Sequence, residues 1–484
     1  MRNVAWCLVL CCGILSVFGL TQENGPTTSL LRAPGAQIFS LTPEAGTFTE
    51  PAIAVNPKNP RQVVAVYQDN VHASYSTDAG QHWTAAEGTA PPNYKISGDV
   101  SATFDLQGHA YVCYIAFDRL GTTNYWAHGA TRNGIFVRRS LDGGETWEKE
   151  HFAVAEQPSQ PGIPFEDKPV IVADNTNSRY GGNLYVGWTR WRIADSLMVL
   201  SRSADGGKTW SPAIEIDAHP GLPRDDNGAA EGFDAAVGPD GTLYAVWSQG
   251  DDLWLAISRD GGKTFGKARA IIHTAPIMYA VATLERANGF PQIGVDQKTG
   301  RLYVAWTDYR NGDLDVFVAT SDNRGKKWSA AVRVNNDPIH DGAEQFFQWM
   351  AVDPVDGSAN VVFYDRRGDP QELKQTVTLA RSTDGGKTFA NYAWTTEPFV
   401  ARPDTFFGDY SGLATYGGRI YGVWTEMLNP PAKEKTTEES AKKDEAKEGK
   451  TPPAAAEKVS EQAPPKPSPR GTLVKVGLAD FNMK

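Results

Sequence analysis

Short stretches in which apolar and polar residues alternate recur along the chain, and they occur in pairs. Residues 293–296 (IGVD) are followed by 302–306 (LYVAW), and 235–237 (AAV) precede 243–247 (LYAVW). A period of two, rich in branched and aromatic residues, is typical of β-strands, and the short separation predicts a tight connection. Seven such pairs begin near Pro51, Asp99, Lys168, Phe233, Phe290, Phe347 and Asp409. The pattern predicts an all-β fold built from repeated units.

A second motif lies between consecutive pairs. The octapeptide SLDGGETW and its variants occur six times, at residues 76–83, 140–147, 203–210, 258–265, 321–328 and 382–389. Asp-Gly-Gly supplies residues that adopt positive φ in a tight hairpin turn, and the aspartate can accept hydrogen bonds from that turn. A short motif at near-constant spacing indicates a repeat architecture in which each repeat is one small sheet.

The two ends of the chain differ from the repeats, which occupy residues 36–429. Residues 1–21 combine Arg2 with an apolar run, a pattern typical of a secretory signal peptide, so we expect a secreted or periplasmic protein with no membrane span after cleavage. An uncleaved membrane anchor is the alternative. Residues 430–471 are rich in Lys, Glu, Pro and Ala, which predicts a disordered insertion. Alternation resumes at 472–484, predicted to hold the final strand.

The octapeptide is the Asp-box, and the chain resembles the sialidase (BNR/Asp-box repeat) superfamily of β-propellers. Sialidases have six blades, whereas seven strand pairs favour seven blades here, with six as the alternative. The last pair is not followed by an Asp-box, and residues 37–41 (QIFSL) resemble the outer strands of other repeats. We therefore expect the N-terminal strand to complete the last blade and close the ring, which also protects the sheet edges.

Composition narrows the possible functions. The chain has 484 residues, is 40% hydrophobic and carries a formal net charge of −10, enough apolar residues for a large core. The acidic balance argues against a nucleic acid or an anionic membrane surface as partner. Outside residues 1–21 the one cysteine is Cys113, which we expect to be a small buried apolar residue.

Candidate chemistry lies on one face of the predicted ring. In a four-stranded blade, the starts of the inner strands and the loops after the second strands lie opposite the Asp-boxes, and ligands commonly bind in the funnel they form. Acidic residues near the inner-strand starts are Glu50, Asp99, Glu166, Asp167, Glu231, Asp234 and Asp409. Arginines after the second strands include Arg190, Arg310, Arg366 and Arg367. Such a mouth suits a glycan; the alternative is that recurrent Asp-x-Arg pairs form ion pairs between blades.

One segment resembles the last blade of sialidases in particular. Residues 408–413 read GDYSGL, similar to the run that places the catalytic tyrosine of sialidases at the start of an inner strand. The resemblance implies Tyr410 as nucleophile, Glu231 as its glutamate partner and Asp99 as general acid. Asp234 is a weaker alternative to Glu231, and Asp409 is a candidate substrate-binding residue. The structural alternative is that Tyr410 lines the channel and Glu231 is a solvated loop carboxylate.

The arginines that sialidases use to hold the sugar carboxylate are poorly matched. The nearest counterpart of their Arg-Ile-Pro motif is Arg32 in the sequence RAP, and Gln249 stands where another arginine is expected. Arg286, Arg310 and Arg366 are the remaining candidates for binding an acidic sugar.

These observations favour a sialidase-like exo-glycosidase that removes terminal sialic acid or a related acidic sugar. A non-catalytic propeller that binds glycan or protein at its funnel is the first alternative. A hydrolase or lyase that acts on other polysaccharides through carboxylates alone is the second. We expect a monomer with a glycan or glycoconjugate as partner, and neither a cofactor nor a metal site, because the sequence has no His/Cys cluster and no phosphate-binding loop.

Overall fold

The computed structural model describes residues 30–68, 70–86, 93–119, 132–158, 164–276, 278–284, 286–395, 397–428 and 471–483. The expected signal peptide, and the expected insertion except for Gly471, lie outside these ranges. The described residues contain no helix, and hence none long and apolar enough to cross a membrane.

Seven blades of four antiparallel strands form a β-propeller and are numbered here 1 to 7; the sheet of blade 6 carries two further short strands. The inner strands are Thr49–Val55, Ile96–Phe104, Phe165–Ala173, Glu231–Val237, Gln292–Val295, Gln345–Val352 and Gly412–Tyr416. The second strands are Val63–Gln68, Ala110–Phe117, Leu184–Trp191, Leu243–Gln249, Leu302–Asp308, Ala359–Asp365 and Arg419–Met427. The third strands are His72–Ser76, Asn133–Ser140, Ser196–Ser203, Asp252–Ser258, Asp315–Ser321, Lys374–Ser382 and Thr472–Asp480. The outer strands are Thr84–Ala85, Phe152–Gln157, Ile214–Glu215, Arg269–His273, Val332–Arg333, Ala390–Ala393 and, for blade 7, Gln37–Ser40.

The ring closes through the two ends of the described chain. Strand Thr472–Asp480 pairs with Arg419–Met427 on one side and with Gln37–Ser40 on the other, and the inner strands of blades 7 and 1 are in contact. Seven blades closed by the N-terminal strand are therefore confirmed. Closure leaves no inner strand without a neighbouring blade on either side.

Four further strands, each of two residues, lie outside the four-stranded blades. Leu31–Arg32 runs parallel to the outer strand of blade 6, so Arg32 lies at the outer edge of the propeller, far from the inner strands. Phe399–Val400 pairs with the third strand of blade 6. Met278–Tyr279 and Ala287–Asn288 pair with each other and form a hairpin between blades 4 and 5 that carries Arg286.

The core lies between the blades rather than within one sheet. Trp188, Trp247, Trp306 and Trp424 occupy one position of the second strand in blades 3, 4, 5 and 7, and all four are fully buried. Removal of such a side chain costs about 3–5 kcal/mol in a well-packed core. The strand alternation seen in the sequence thus places one face of each sheet against the next blade.

The six octapeptides form turns between the third and outer strands. In blade 4, Ser258 Oγ accepts a hydrogen bond from Gly262 N at 3.0 Å, and Asp260 accepts from Thr264 N at 2.9 Å and Thr264 Oγ1 at 2.6 Å. Where other copies have a first glycine, the divergent ones hold Ala79 at φ 64° and Arg324 at φ 61°. The turn geometry is therefore kept even where the residue best suited to it is absent.

Candidate functional site

The starts of five inner strands share a backbone irregularity. The pairing register shifts at the same point of blades 1, 2, 3, 4 and 6, and the residue at the shift adopts a positive φ. These residues are Glu50 (50°), Asp99 (46°), Lys168 (48°), Gly232 (74°) and Phe347 (49°). A non-glycine residue in this region costs about 1–3 kcal/mol and is a pointer to a functional site.

A cavity of about 780 Å³ opens at this end of the propeller, opposite the Asp-boxes. Its acidic lining residues are Glu50, Asp99, Asp167, Asp225, Glu231 and Asp409. Its basic lining residues are Lys95, Lys168 and Arg286, and Phe117, Phe165 and Phe406 provide aromatic surface. The volume is in the range of small-molecule and sugar-sized sites.

Three of the carboxyl groups form one cluster, Glu50–Asp99–Asp167. Asp99 shares a hydrogen bond with Glu50 and another with Asp167, and its Oδ2 accepts from Lys168 N at 3.2 Å. Burial and the charge of Asp99 raise the pKa of Glu50 and that of Asp167 well above their usual values. Carboxyl groups this close repel one another when ionised, which favours the protonated forms of Glu50 and Asp167.

Arg286 reaches the cavity from the hairpin between blades 4 and 5 and is already paired. Its Nε and Nη2 donate to the two carboxylate oxygens of Asp409 at 2.9 and 2.5 Å, and its Nη1 donates to Asp225 Oδ2 at 2.6 Å. The charge of Asp409 is the main cause of a raised Arg286 pKa. The bidentate edge that would hold a ligand carboxylate is thus occupied by the protein itself.

Glu231 is the most unusual acid of the site. Its side chain shares a hydrogen bond with Asp225, while Oε2 is buried without a hydrogen-bond partner. Burial, followed by the charges of Asp225 and Asp167, raises the pKa of Glu231 well above its usual value. A carboxyl group of raised pKa that lines a cavity is a candidate general acid.

Tyr410 lies near the carboxyl groups and lines a smaller cavity of about 150 Å³. Its hydroxyl donates to Val100 O at 3.4 Å, and Lys168 Nζ lies 3.7 Å from the centre of its ring. Burial, then the charges of Glu50 and Asp99, raise the Tyr410 pKa well above its usual value. Within the part of the chain that the structure describes, no hydrogen bond joins Tyr410 to Glu231. The tyrosine–glutamate pair implied by the sialidase resemblance is not formed in this arrangement.

The remaining candidate residues lie outside the large cavity. Asp234 lines a second cavity of about 150 Å³ beside Tyr410, accepts a hydrogen bond from Ile293 N at 2.8 Å, and has a pKa raised by burial to about 7. Arg310 forms an ion pair with Asp308 of its own blade at 2.5 Å. Of the eight residues proposed from sequence, the cavity brings together Asp99, Glu231, Arg286 and Asp409.

Arg366 is fully buried in blade 6 and meets no carboxylate. Its Nη1 donates to Glu372 O at 2.6 Å and its Nη2 donates to Ala282 O at 2.8 Å, so it ties blade 6 to the hairpin that carries Arg286. Burial lowers the Arg366 pKa to about 10. The neighbouring Asp365–Arg367 ion pair closes within its own blade at 2.6 Å. These arginines hold the scaffold together rather than face a ligand.

Sequence reasoning singled out neither Lys168 nor Asp225 as a site residue. Lys168 could have been found, because it stands at the same repeat position as Glu50 and Asp99. Asp225 belongs to the loop before the inner strand of blade 4 and has no counterpart in the other repeats, so the sequence offers no signal for it. Among the described residues, no group of three or more His, Cys, Asp or Glu side chains has the arrangement of a metal site.

Comparison with protein-family models gives no match, and comparison with curated proteins gives none. Among solved structures, the chain is similar to the phage phi92 endosialidase, with 10% identity, coverage of 92% of this chain and 69% of that chain, and a TM-score of 0.49. It is also similar to the Hadza microbial sialidase Hz136, with 17% identity, 76% and 72% coverage, and a TM-score of 0.44. A third similar structure is an α-L-arabinofuranosidase from Fusarium graminearum, with 12% identity, coverage of 81% of this chain and 96% of that chain, and a TM-score of 0.45. At these identities the likeness concerns the fold alone, the β-propeller.

Proposed function

We propose that the protein is a glycoside hydrolase whose reaction takes place in the large cavity and uses the carboxyl groups that line it. The observation that carries the proposal is Glu231, a buried carboxyl group that lines the same cavity as the Asp99 cluster and whose pKa is raised well above its usual value. Most glycoside hydrolases use two carboxyl groups that flank the scissile bond, one as an acid and the other as a carboxylate. The exposed ring of Phe406 offers an apolar surface for the sugar face.

Glu231 serves as the general acid. It transfers its proton to the glycosidic oxygen as the bond from that oxygen to the anomeric carbon breaks. Asp99, held by the protonated Glu50 and Asp167, is the carboxylate on the other side, which attacks the anomeric carbon or deprotonates the attacking water. Water supplies the hydroxyl group of the released sugar, so atoms and charge balance.

An acidic sugar is a poorer substrate for this site than a neutral or basic one. Arg286 is engaged by Asp409 and Asp225, and six carboxyl groups surround the space in which a sialate carboxylate would lie. The absence of a free bidentate edge on Arg286 opposes binding of that carboxylate. Tyr410 accordingly contributes by lining the channel rather than as nucleophile.

The test is hydrolysis of a panel of fluorogenic glycosides, with an α-sialoside beside neutral and amino-sugar glycosides. We expect release from a non-acidic member, and a loss of about 100-fold or more in kcat for both Glu231→Gln and Asp99→Asn. Tyr410→Phe should retain most of the activity. The matched control is Asp205→Asn, the same change in an Asp-box on the opposite face.

Two other outcomes of this test would contradict the proposed mechanism or the proposed activity. Release from the α-sialoside alone, abolished in Tyr410→Phe, would replace this mechanism by the tyrosine mechanism of sialidases. No release from any glycoside, together with retention on a glycan array, would identify a binding propeller. We also propose that the protein is exported through residues 1–21, which fractionation of expressing cells would test.

A further inference from the structure

We propose that Asp225 is a positioning residue of the hydrolysis, which accepts a hydrogen bond from the carboxyl group of Glu231 and is itself held in place by Arg286. This deepens the proposed function and rests on it for the reaction step. The contact between the two carboxyl groups can nevertheless be measured without a substrate. Asp225 acts on the reaction through Glu231, the general acid.

The first observation is the place of Asp225 in its loop. The loop lies before the inner strand of blade 4, and Asp225 lines the large cavity together with Glu231. The next residue, Asp226, is used within the loop: its Oδ1 accepts a hydrogen bond from Gly228 N at 2.9 Å, and its Oδ2 pairs with Arg224 at 3.1 Å. The loop therefore places one carboxyl group in the cavity lining and uses the other for its own turn.

The second observation is that Arg286 fixes the orientation of Asp225. Its Nη1 donates to Asp225 Oδ2 at 2.6 Å, while its Nε and Nη2 donate to the two carboxylate oxygens of Asp409 at 2.9 and 2.5 Å. A planar guanidinium group held on one edge by a bidentate partner also fixes the carboxylate on its remaining nitrogen. Burial raises the pKa of Asp225, and the charge of Arg286 opposes that effect and favours the ionised form.

The third observation is that Glu231 is the donor of the carboxyl pair. Burial, followed by the charges of Asp225 and Asp167, raises the pKa of Glu231 well above its usual value. Arg286 donates its hydrogen bonds to Asp225 and not to Glu231. A protonated carboxyl group donates and an ionised one accepts, so the hydrogen bond runs from Glu231 to Asp225.

This contact orients the general acid and preserves its proton. The charged groups that act on Glu231 are Asp225, Asp167, Arg286 and Asp409, and only the arginine is positive. A negative neighbour disfavours the ionised form of Glu231, so the acid stays protonated up to a higher pH. As the glycosidic bond breaks, the proton moves from Glu231 to the leaving oxygen, and Asp225 keeps its charge throughout. Asp225 should therefore matter most for leaving groups that need protonation.

The first measurement needs no substrate. It is an infrared titration of the protonated carboxyl groups of the full chain, in which the band of Glu231 is assigned by its loss in Glu231→Gln. We expect the midpoint of Glu231 to fall by about one pH unit or more in Asp225→Asn, which removes a negative neighbour, and to rise in Arg286→Gln, which removes a positive one. The matched control is Asp226→Asn, one residue along, which keeps the acceptor for Gly228 N and should leave the midpoint unchanged.

The second measurement compares two leaving groups on the best sugar of the glycoside panel. At pH 7, Asp225→Asn should lower kcat for an alkyl glycoside by about tenfold or more. For the dinitrophenyl glycoside the loss should stay below about threefold, because a weakly basic leaving group needs little help from an acid. The alkaline limb of kcat/KM for the alkyl glycoside should move to lower pH in the same variant.

A Glu231 midpoint that is unchanged in Asp225→Asn would overturn the inference, whether or not the protein hydrolyses glycosides. Equal losses on the two leaving groups would also overturn it, since a purely structural role slows both alike. Asp225→Ala is the second variant if Asp225→Asn fails to fold, as judged by its Tm. A shifted midpoint in a protein that hydrolyses no glycoside would keep the contact between Glu231 and Asp225 but refute the proposed function; hydrolysis with an unshifted midpoint would do the reverse.

Discussion

The two ends of the propeller differ in how strictly the side chain is kept at a repeated backbone position. At one end, the Asp-box turns keep one set of hydrogen bonds, such as Gly262 N to Ser258 Oγ at 3.0 Å and Gly207 N to Ser203 Oγ at 3.0 Å. At the other end, one irregular backbone position holds an acid in blade 2, a base in blade 3 and an apolar ring in blade 6, namely Asp99, Lys168 and Phe347. Where the side chain repeats with the backbone, it builds the turn. Where it changes on a constant backbone, it takes different surroundings: Asp99 and Lys168 line the cavity, and Phe347 is buried in the core.

The carboxyl groups at the two ends differ in the same sense. Hydrogen bonds from the Thr388 side chain and backbone lower the pKa of Asp384, in an Asp-box, to about 2. Burial, together with neighbouring carboxylates, raises the pKa of Glu231 and that of Glu50 at the mouth. At the Asp-box end, hydrogen-bond donors stabilise the ionised carboxylates. At the other end, several carboxyl groups lie close together with few hydrogen-bond donors, which is typical of catalytic sites.

The largest expected difference is in activity. Asp99→Asn should lower glycoside turnover by about 100-fold or more, because it removes the carboxylate that acts together with the acid. Asp205→Asn should leave turnover within about twofold, since its partners are the turn itself. Both are read as kcat/KM on the best substrate of the panel. Equal losses in the two variants would end the functional distinction between the two faces.

A substitution in an Asp-box turn should affect stability rather than activity, the reverse of a substitution in the cavity. Ser258→Ala removes the acceptor of a buried backbone N–H and should lower the free energy of unfolding by about 1–3 kcal/mol. Denaturant unfolding measures it, with exposed Lys263→Ala as control. Activity at a temperature well below Tm should be unchanged. A Tm equal to that of the control would contradict the structural role of the serine.

The two ends should also impose opposite pH dependences on stability. A carboxyl group with a raised pKa binds more protons when folded, so its contribution is present at low pH and is lost as pH rises through the folded pKa. For Asp234 that window runs from about 4 to about 7, and Asp234→Asn should flatten the fall of Tm across it. For Asp384 the contribution is lost as pH falls from about 4 to about 2.

Thermal unfolding from pH 2 to pH 8 checks both windows. Asp384→Asn should flatten only the acidic limb and Asp234→Asn only the limb above about pH 4. A Tm that rises steadily up to pH 8 in the parent protein would contradict the prediction, because ionisation of the buried carboxyl groups would then not lower the free energy of unfolding.

The smallest effect concerns the divergent Asp-box of blade 5. Arg324→Gly should stabilise the fold by about 1 kcal/mol, because glycine adopts the observed φ of 61° without strain. The reciprocal change Gly206→Ala, at the same position of the blade 3 box with φ 73°, should cost about as much. Denaturant midpoints of the two variants measure the pair. Changes of the same sign would show that the turn does not set the stability.

How far the site could be predicted differs from residue to residue. Asp99, Glu231 and Asp409 were accessible from the sequence because each stands near the start of an inner strand, a position that the repeat itself marks. Arg310 and Arg366 carried a similar signal, yet one pairs within its blade and the other is buried against backbone carbonyls. Position in a repeat predicts which end of the blade a residue occupies, and not which neighbour its side chain meets.

The sequence by itself determined the fold, because its signals are local: alternation over a few residues makes a strand, and Asp-Gly-Gly makes a turn. Their repetition favoured seven blades over six and predicted closure by the N-terminal strand, and the pairing of residues 37–40 with 475–478 confirms that closure. Only the tertiary structure decided the chemistry. Arg286 and Asp409 are 123 residues apart and meet at 2.5 Å, and Asp225 joins them from a loop without a counterpart. Protonation and pairing depend on distances through space, and those exist only once the ring has closed.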